Sequence, residues 1–127
     1  MNGFTVQPFT PGDLREYVMD SGWRLFAELW DTVELPALQE HALQFPQLVV
    51  IESVPEYLDA VLTFAIESQR FAVLRSQGDY LFFVENPECD AELLLAVARH
   101  FTSLLCRIRS VTFVTKFEQQ PRGFERE

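Results

Sequence analysis

The sequence lacks an apolar run of about 20 residues, the length that a helix needs to cross a bilayer. Its apolar stretches, such as Tyr80–Val84 and Leu93–Val97, are far shorter. The first residues carry no basic cluster followed by an apolar segment, so no secretory signal is recognised. These absences predict a cytoplasmic protein without a membrane-spanning segment.

Residues that usually carry metal or covalent chemistry are also scarce. Cys89 and Cys106 lie at opposite ends of one predicted helix, about 25 Å apart at 1.5 Å per residue, too far for a disulfide. His41 and His100 are the only histidines, and neither has a zinc-site neighbour. The five glycines are scattered, and no Gly-x-Ser-x-Gly motif occurs. We therefore expect neither cofactor nor metal, and the missing motifs favour a protein without catalytic activity.

Negative charge is concentrated in the first half of the chain. Residues 1–68 contain eleven acidic side chains against two arginines, a net charge of −9, whereas residues 69–127 contain eight of each sign. Such a surface repels a phosphate backbone and attracts a basic protein surface. The acidic side chains predicted to bind that partner are Asp13, Glu16, Asp20, Glu28, Asp31 and Glu34.

One segment invites comparison with nucleic-acid binding. Gly78–Val84 loosely resembles the aromatic strand on which RNA-recognition modules stack bases. Asp79 stands where those modules favour a basic residue, and the chain has a net charge of −9. We therefore predict no nucleic-acid partner.

Residues 1–46 are predicted to form a short strand and a helical extension. Phe4 and Val6 alternate with polar residues, as in a strand. Thr10 followed by Pro11 is typical of a helix start, with Leu14, Tyr17 and Val18 on one stripe. The i, i+3, i+4, i+7 spacing then predicts an amphipathic helix with an apolar face of Trp23, Phe26, Ala27 and Trp30. A short helix opened by Pro36 has the predicted buried residues Leu38, Ala42 and Phe45.

Residues 47–117 are predicted as β-α-β-β-α-β. Leu48–Ile51 reads as a buried strand, and the Ser53-x-x-Glu56 capping box predicts a helix with Leu58, Val61, Leu62, Ala65 and Ile66 inward. Gln77 and Gly78 link a hairpin of residues 70–76 and 79–85. Asp90 begins a second helix, with apolar positions from Leu93 to Ile108, and Val111–Phe117 closes the sheet. This order predicts an α+β, ferredoxin-like sandwich within a single domain of residues 1–117, followed by a disordered tail at 118–127.

The predicted sheet has two apolar faces, and both helices of the motif cover only one. Along residues 79–85, Tyr80, Phe82 and Val84 alternate with Leu81 and Phe83. Leaving several such side chains in water costs several kcal/mol at about 25 cal/mol per Å². The second face is therefore expected to be covered by the tryptophan helix, a second copy of the chain or a ligand. The side chains predicted for docking or a pocket there are Trp23, Phe26, Trp30, Tyr80 and Phe82.

Three functions remain open at this point. The first is a non-catalytic inhibitor, immunity-type or adaptor protein that acts on a basic partner surface. The second is a small ferredoxin-like homodimer that binds or turns over an apolar molecule on its sheet face. Its pocket is lined by Phe71, Val73, Tyr80, Phe82 and Phe113, or by the opposite set of side chains if the pleat is reversed. The third is a subunit of a larger assembly that docks through the tryptophan-bearing helix.

Overall fold

The computed structural model describes residues 4–6, 9–105 and 108–110. Two helices and eight strands occur in these ranges. In chain order they are β1 (Phe4–Val6), β2 (Tyr17–Val18), β3 (Arg24–Trp30), α1 (Leu35–Ala42), β4 (Val49–Val50), β5 (Leu62–Ile66), β6 (Gln69–Ser76), β7 (Asp79–Val84), α2 (Ala91–Leu105) and β8 (Ile108–Ser110). Single 3₁₀ turns occur at Pro11–Asp13 and Pro55–Tyr57.

Six strands form one antiparallel sheet in the order β2-β3-β7-β6-β5-β4, and β1 pairs with β8 in a separate two-stranded ribbon. The fold is therefore a mixed α+β fold, as predicted. The ferredoxin-like topology is not confirmed, because the strand order differs. The predicted closing strand Val111–Phe117 and the tail at 118–127 lie outside the described residues.

The hairpin between β6 and β7 is confirmed. Gln77 and Gly78 both adopt positive φ, at 51° and 88°, as a two-residue turn of this type requires. The glycine populates such angles readily because it has no Cβ. At Gly78 the residue type therefore matches the backbone angle, whereas Gln77 adopts its positive φ without the freedom of a glycine.

The helix predicted after Ser53 is wrong. Only the 3₁₀ turn at Pro55–Tyr57 forms, its N-cap is Val54, and no side-chain capping bond is made. Residues Leu62–Ile66 instead form β5, which pairs with β6. The turn that joins them, Glu67-Ser68, has φ values of 51° and 67° without a glycine. No glycine, asparagine or proline marks this hairpin, and Leu62 and Ile66, both buried in β5, have the four-residue spacing of a helical stripe.

The helix predicted for Trp23–Trp30 is also wrong, because residues Arg24–Trp30 form β3. A register shift between Leu25 and Ala27 places a β-bulge in this strand. The bulge lets both Phe26 and Ala27 join the same core cluster, although they are consecutive. Two adjacent inward side chains break the two-residue period of a strand and imitate the spacing of a helix.

The first predicted helix likewise stops after one turn, at Pro11–Asp13, and Tyr17 and Val18 form β2. Helix α1 is confirmed, with Leu38 and Ala42 buried, but it ends at Ala42, and Phe45 lies beyond it and is only partly buried. Helix α2 is confirmed as well, but it ends at Leu105, and Ile108 lies in β8. No helix among the described residues is long and apolar enough to span a membrane.

Candidate functional site

The two faces of the six-stranded sheet are covered differently. On the helix face, side chains from α1 and α2 pack with Phe64, Phe71 and Phe82 into one buried cluster. On the second face, a smaller cluster forms around Trp23, Leu25, Val54, Ala72 and Phe83. The second face therefore buries fewer apolar side chains than the helix face.

The connection from β4 to β5 covers one half of the second face. Val54 in this connection is fully buried. The Tyr57 ring meets Trp23 edge-on at 5.3 Å and stacks on Phe83 at 4.9 Å between centroids. The Tyr57 hydroxyl also lies 2.9 Å from the Ser21 hydroxyl. We call these side chains and their neighbours the covered half: Trp23, Leu25, Val54, Tyr57, Ala72 and Phe83.

The other half of the second face is more exposed, although Leu81 within it packs against the cluster of the covered half. Glu28 of β3 pairs with Leu81 of β7, and Trp30 pairs with Asp79. Side chains of directly paired residues lie on the same face of a sheet, so these four are neighbours. We call Glu28, Trp30, Asp79 and Leu81 the open patch. The Trp30 side chain is 48% exposed there, in contrast to the 2% of Trp23.

Charged groups surround the open patch, but only some of them are paired. Arg15 Nε lies 3.4 Å from Glu28 Oε2. Asp31, which follows Trp30, binds Arg75 through contacts of 2.7 and 3.3 Å. The Asp79 carboxylate forms no salt bridge and no side-chain hydrogen bond with the described residues. The unpaired carboxylate is therefore the electrostatic feature that distinguishes the patch.

The environment of Asp79 disfavours its charge. Partial burial raises the pKa of the Asp79 carboxyl above its ordinary value, and the negative charges of Glu28 and Asp31 raise it further. The positive charge of Arg15 opposes this shift. A nearby cation from outside the chain would relieve the unfavourable environment of the ionised carboxylate.

A cleft of about 310 Å³ adjoins the patch through Glu28. Its lining residues are Phe9, Gly12, Asp13, Leu14, Arg15 and Glu28. Because Arg15 and Glu28 form an ion pair inside it, the cleft extends the polar surface of the patch towards the 3₁₀ turn at Pro11–Asp13.

The structure separates the acidic side chains predicted from the sequence. Glu28 belongs to the open patch, and Asp31 lies at its border. Asp13 accepts hydrogen bonds from the backbone and hydroxyl of Thr10, at 2.9 and 3.0 Å. The remaining three, all exposed, are Glu16 and Asp20 on either side of β2 and Glu34 just before α1.

The predicted docking and pocket residues are likewise divided. Phe26, Tyr80 and Phe82 are at most 1% exposed in the cluster beneath the helices, as are Phe71 and Val73. Phe113 lies outside the described residues. Only Trp23 and Trp30 lie on the second face, and they occupy different halves of it. Asp79 and Leu81 were missed as site residues, although their alternation with Tyr80 and Phe82 already placed them together on one side of a strand.

Two features relevant to catalysis complete the description. Cys89 is buried, and burial followed by the charge of Asp90 raises the pKa of its thiol, which opposes nucleophilic use. The described residues contain no group of three or more His, Cys, Asp or Glu side chains placed to hold a metal ion.

The two histidines join the helices. The rings of His41 and His100 stack at 4.1 Å, and each Nε2 lies 2.7 Å from the backbone carbonyl oxygen of the other residue. Burial, the largest influence, lowers the pKa of His100. This pair connects α1 to α2 and stands apart from the open patch, on the helix face.

No protein-family model matches the chain, and neither a curated protein nor a solved structure matches it significantly. The geometry of the open patch therefore carries the functional inference.

Proposed function

We propose that this chain is a non-catalytic protein-interaction module, of the inhibitor, immunity or adaptor kind, whose open patch binds a basic segment of another protein in the cytoplasm. The observation that carries the proposal is the partly buried, unpaired carboxylate of Asp79 next to the exposed ring of Trp30. An arginine or lysine side chain supplies a positive charge, which can pair with the Asp79 carboxylate and lie against the Trp30 ring.

The patch suits such a side chain in two ways. The ring face of a tryptophan attracts a cation, with about 0.5–1 kcal/mol gained at an exposed site. The aliphatic stem of arginine or lysine can at the same time cover the apolar surface of Leu81, while its charged end reaches Asp79 and Glu28. The net charge of −9 over residues 1–68 adds long-range attraction for a basic partner.

The alternative, a homodimer that binds an apolar molecule on its sheet face, has less support. Four of the side chains proposed to line its pocket, Phe71, Val73, Tyr80 and Phe82, pack against the helices and are at most 1% exposed. They present no surface to a ligand without displacement of α1 or α2.

Binding of a short oligo-arginine peptide to the full chain tests the proposal, with an oligo-glutamate peptide as control. NMR should show that the largest shifts occur at the Trp30 indole and at the amides around Asp79. We expect Asp79→Asn and Trp30→Ala each to weaken binding by about tenfold, corresponding to roughly 1.4 kcal/mol. Raising the salt concentration should weaken it further.

Asp20→Asn is the matched control, because it removes the same charge from an exposed aspartate in the β2–β3 turn. This turn lies at the opposite end of β3 from Trp30, about 20 Å away at 3.3 Å per residue. If Asp20→Asn weakens binding as much as Asp79→Asn, the attraction is only that of net charge, and the proposed site is wrong.

A further inference from the structure

Strand β4 ends the sheet of described strands and contains no charged side chain. Val49 and Val50 are 60% and 48% exposed. The sequence from Gln47 to Ile51 contains no charged side chain. Natural edge strands are commonly protected by charges, prolines or bulges, and an unprotected edge can pair with another strand.

The backbone of β4 is oriented for such pairing. The Ile51 amide donates to the carbonyl oxygen of Thr63 at 3.0 Å, so these two residues form a hydrogen-bonded pair of the β4–β5 ladder. Hydrogen-bonded and non-hydrogen-bonded pairs alternate along an antiparallel ladder. Val50 therefore occupies a non-hydrogen-bonded position, and its N–H and C=O point away from β5, towards the outer edge.

The opposite edge of the sheet differs in its charge. Strand β2 also has two residues, Tyr17 and Val18, which are 64% and 50% exposed. Acidic residues flank it directly, with Glu16 on one side and Asp20 two positions beyond Val18 on the other. Glu52 likewise lies two positions beyond Val50, but an antiparallel pair centred on Val18 sets Glu16 opposite Asp20 of the second copy, whereas one centred on Val50 sets Glu52 opposite Leu48.

We propose that a second copy of this chain pairs with the first through β4, antiparallel about a two-fold axis at Val50. This axis places Val50 opposite the same residue of the second copy and Val49 opposite Ile51. Each hydrogen bond then forms twice, which compensates for the shortness of the strand. In this register Glu52 stands opposite Leu48, so two copies, each with a net charge of −9, can pair here without one acid directly opposite another. A basic partner finds no acidic side chain between Gln47 and Ile51.

The dimer and the open patch do not compete for the same surface. Strand β4 lies three strands from β7, about 14 Å away at 4.8 Å per strand. The inference is therefore independent of the proposed interaction with a basic partner. A dimer would present two open patches.

Sedimentation equilibrium of the full chain tests the proposal. The expected mass is that of two 14.7 kDa chains. Val50→Lys should raise the dimer dissociation constant about tenfold or more, because like charges opposite one another in a ladder are destabilising. Val18→Lys is the matched control, since Val18 has nearly the same exposure at the other edge. It should leave the dimer intact.

A single-chain mass of the unsubstituted protein up to millimolar concentration would overturn the proposal, as would dissociation by Val18→Lys but not by Val50→Lys. Hydrogen exchange of the Val50 amide in the unsubstituted protein gives a second test that needs no variant. Protection that rises with protein concentration supports the dimer. Protection at every concentration in a single-chain species would mean that another segment of the chain covers the edge, and would also contradict the proposal.

Discussion

Trp23 directly precedes β3 and Trp30 ends it, on the same face of the sheet, but only one of them is buried. Trp23 is 2% exposed, next to Tyr57 and Val54 of the β4–β5 connection, whereas Trp30 is 48% exposed, next to Asp79. The residue type is the same, and so is the face of the sheet. The difference arises from which part of the sheet the connection crosses.

The contrast separates two uses of apolar surface. In the covered half, aromatic rings and Val54 exclude water from one another and contribute to stability. In the open patch, an exposed ring is combined with Glu28 and with a carboxylate whose charge is disfavoured. Such a combination adds little to the stability of the isolated chain. It instead suits the binding of a basic side chain from another protein.

The largest expected effect is the difference in stability between alanine variants of the two tryptophans. Trp23→Ala should lower the free energy of unfolding by about 3–5 kcal/mol, because it leaves a cavity among buried rings. Trp30→Ala should lower it by about 1 kcal/mol or less, because half of that ring is already in water. Urea unfolding followed by circular dichroism measures both. Equal losses of unfolding free energy would contradict the distinction between the covered half and the open patch. If Trp23→Ala does not fold, Trp23→Phe and Trp30→Phe provide a milder pair.

A smaller effect is expected in the segment that forms the cover. Tyr57→Ala removes the contacts with Trp23 and Phe83, and should cost about 2–3 kcal/mol. The neighbouring Leu58 is 77% exposed, so Leu58→Ala should change stability by about 0.5 kcal/mol or less. Fluorescence emission of Trp23, measured in a Trp30→Phe background, should shift to the red only in the Tyr57 variant. An unchanged emission would show that Tyr57 does not shield Trp23.

Some elements of this fold could be predicted from the sequence, and others could not. The α+β class, the Gln77-Gly78 hairpin and both helices α1 and α2 were predicted, because their signals are local: a turn residue, a proline or a repeated apolar stripe. The β-bulge at Leu25/Ala27 and the glycine-free turn at Glu67-Ser68 were not. Both depend on tertiary packing that overrides local preference.

The candidate site was predicted only in fragments. Glu28, Asp31 and Trp30 were singled out from charge and aromatic content, but the assumed helix around Trp23 separated them from β7. The pairing of Trp30 with Asp79 joins residues that are far apart in the chain. No periodicity within one segment reveals such a contact, so Asp79 emerged only when β3 was placed beside β7.

A pH titration of peptide binding sharpens the role of the open patch. Because the pKa of Asp79 is raised, this carboxylate should become protonated at a higher pH than an ordinary aspartate, whose pKa is about 3.9. Affinity for the oligo-arginine peptide should therefore fall by about tenfold as Asp79 gains its proton. Calorimetry across that range measures the loss. Asp79→Asn should bind weakly throughout and lose this part of the pH dependence; an unchanged profile would exclude Asp79 as the responsible group.

The smallest expected effect is a gain in stability from the same substitution. A raised pKa in the folded state means that folding favours protonated Asp79. This contribution is fully present below the unfolded pKa of about 3.9 and is lost as the pH rises through the folded pKa. At neutral pH the ionised carboxylate therefore opposes folding.

Asp79→Asn removes that charge, so its free energy of unfolding at pH 7 should exceed that of the unsubstituted chain by a few tenths of a kcal/mol. The difference should shrink as the pH is lowered through the raised pKa of Asp79, where the native carboxyl takes up its proton. Asp20→Asn, which removes an exposed charge far from the patch, separates this local effect from the reduction in net charge. A variant that binds the peptide more weakly and yet folds more stably would show that Asp79 is retained at a cost to stability, as a binding residue is and a structural one is not. Loss of stability in Asp79→Asn would instead assign the carboxylate a structural role and contradict the proposed site.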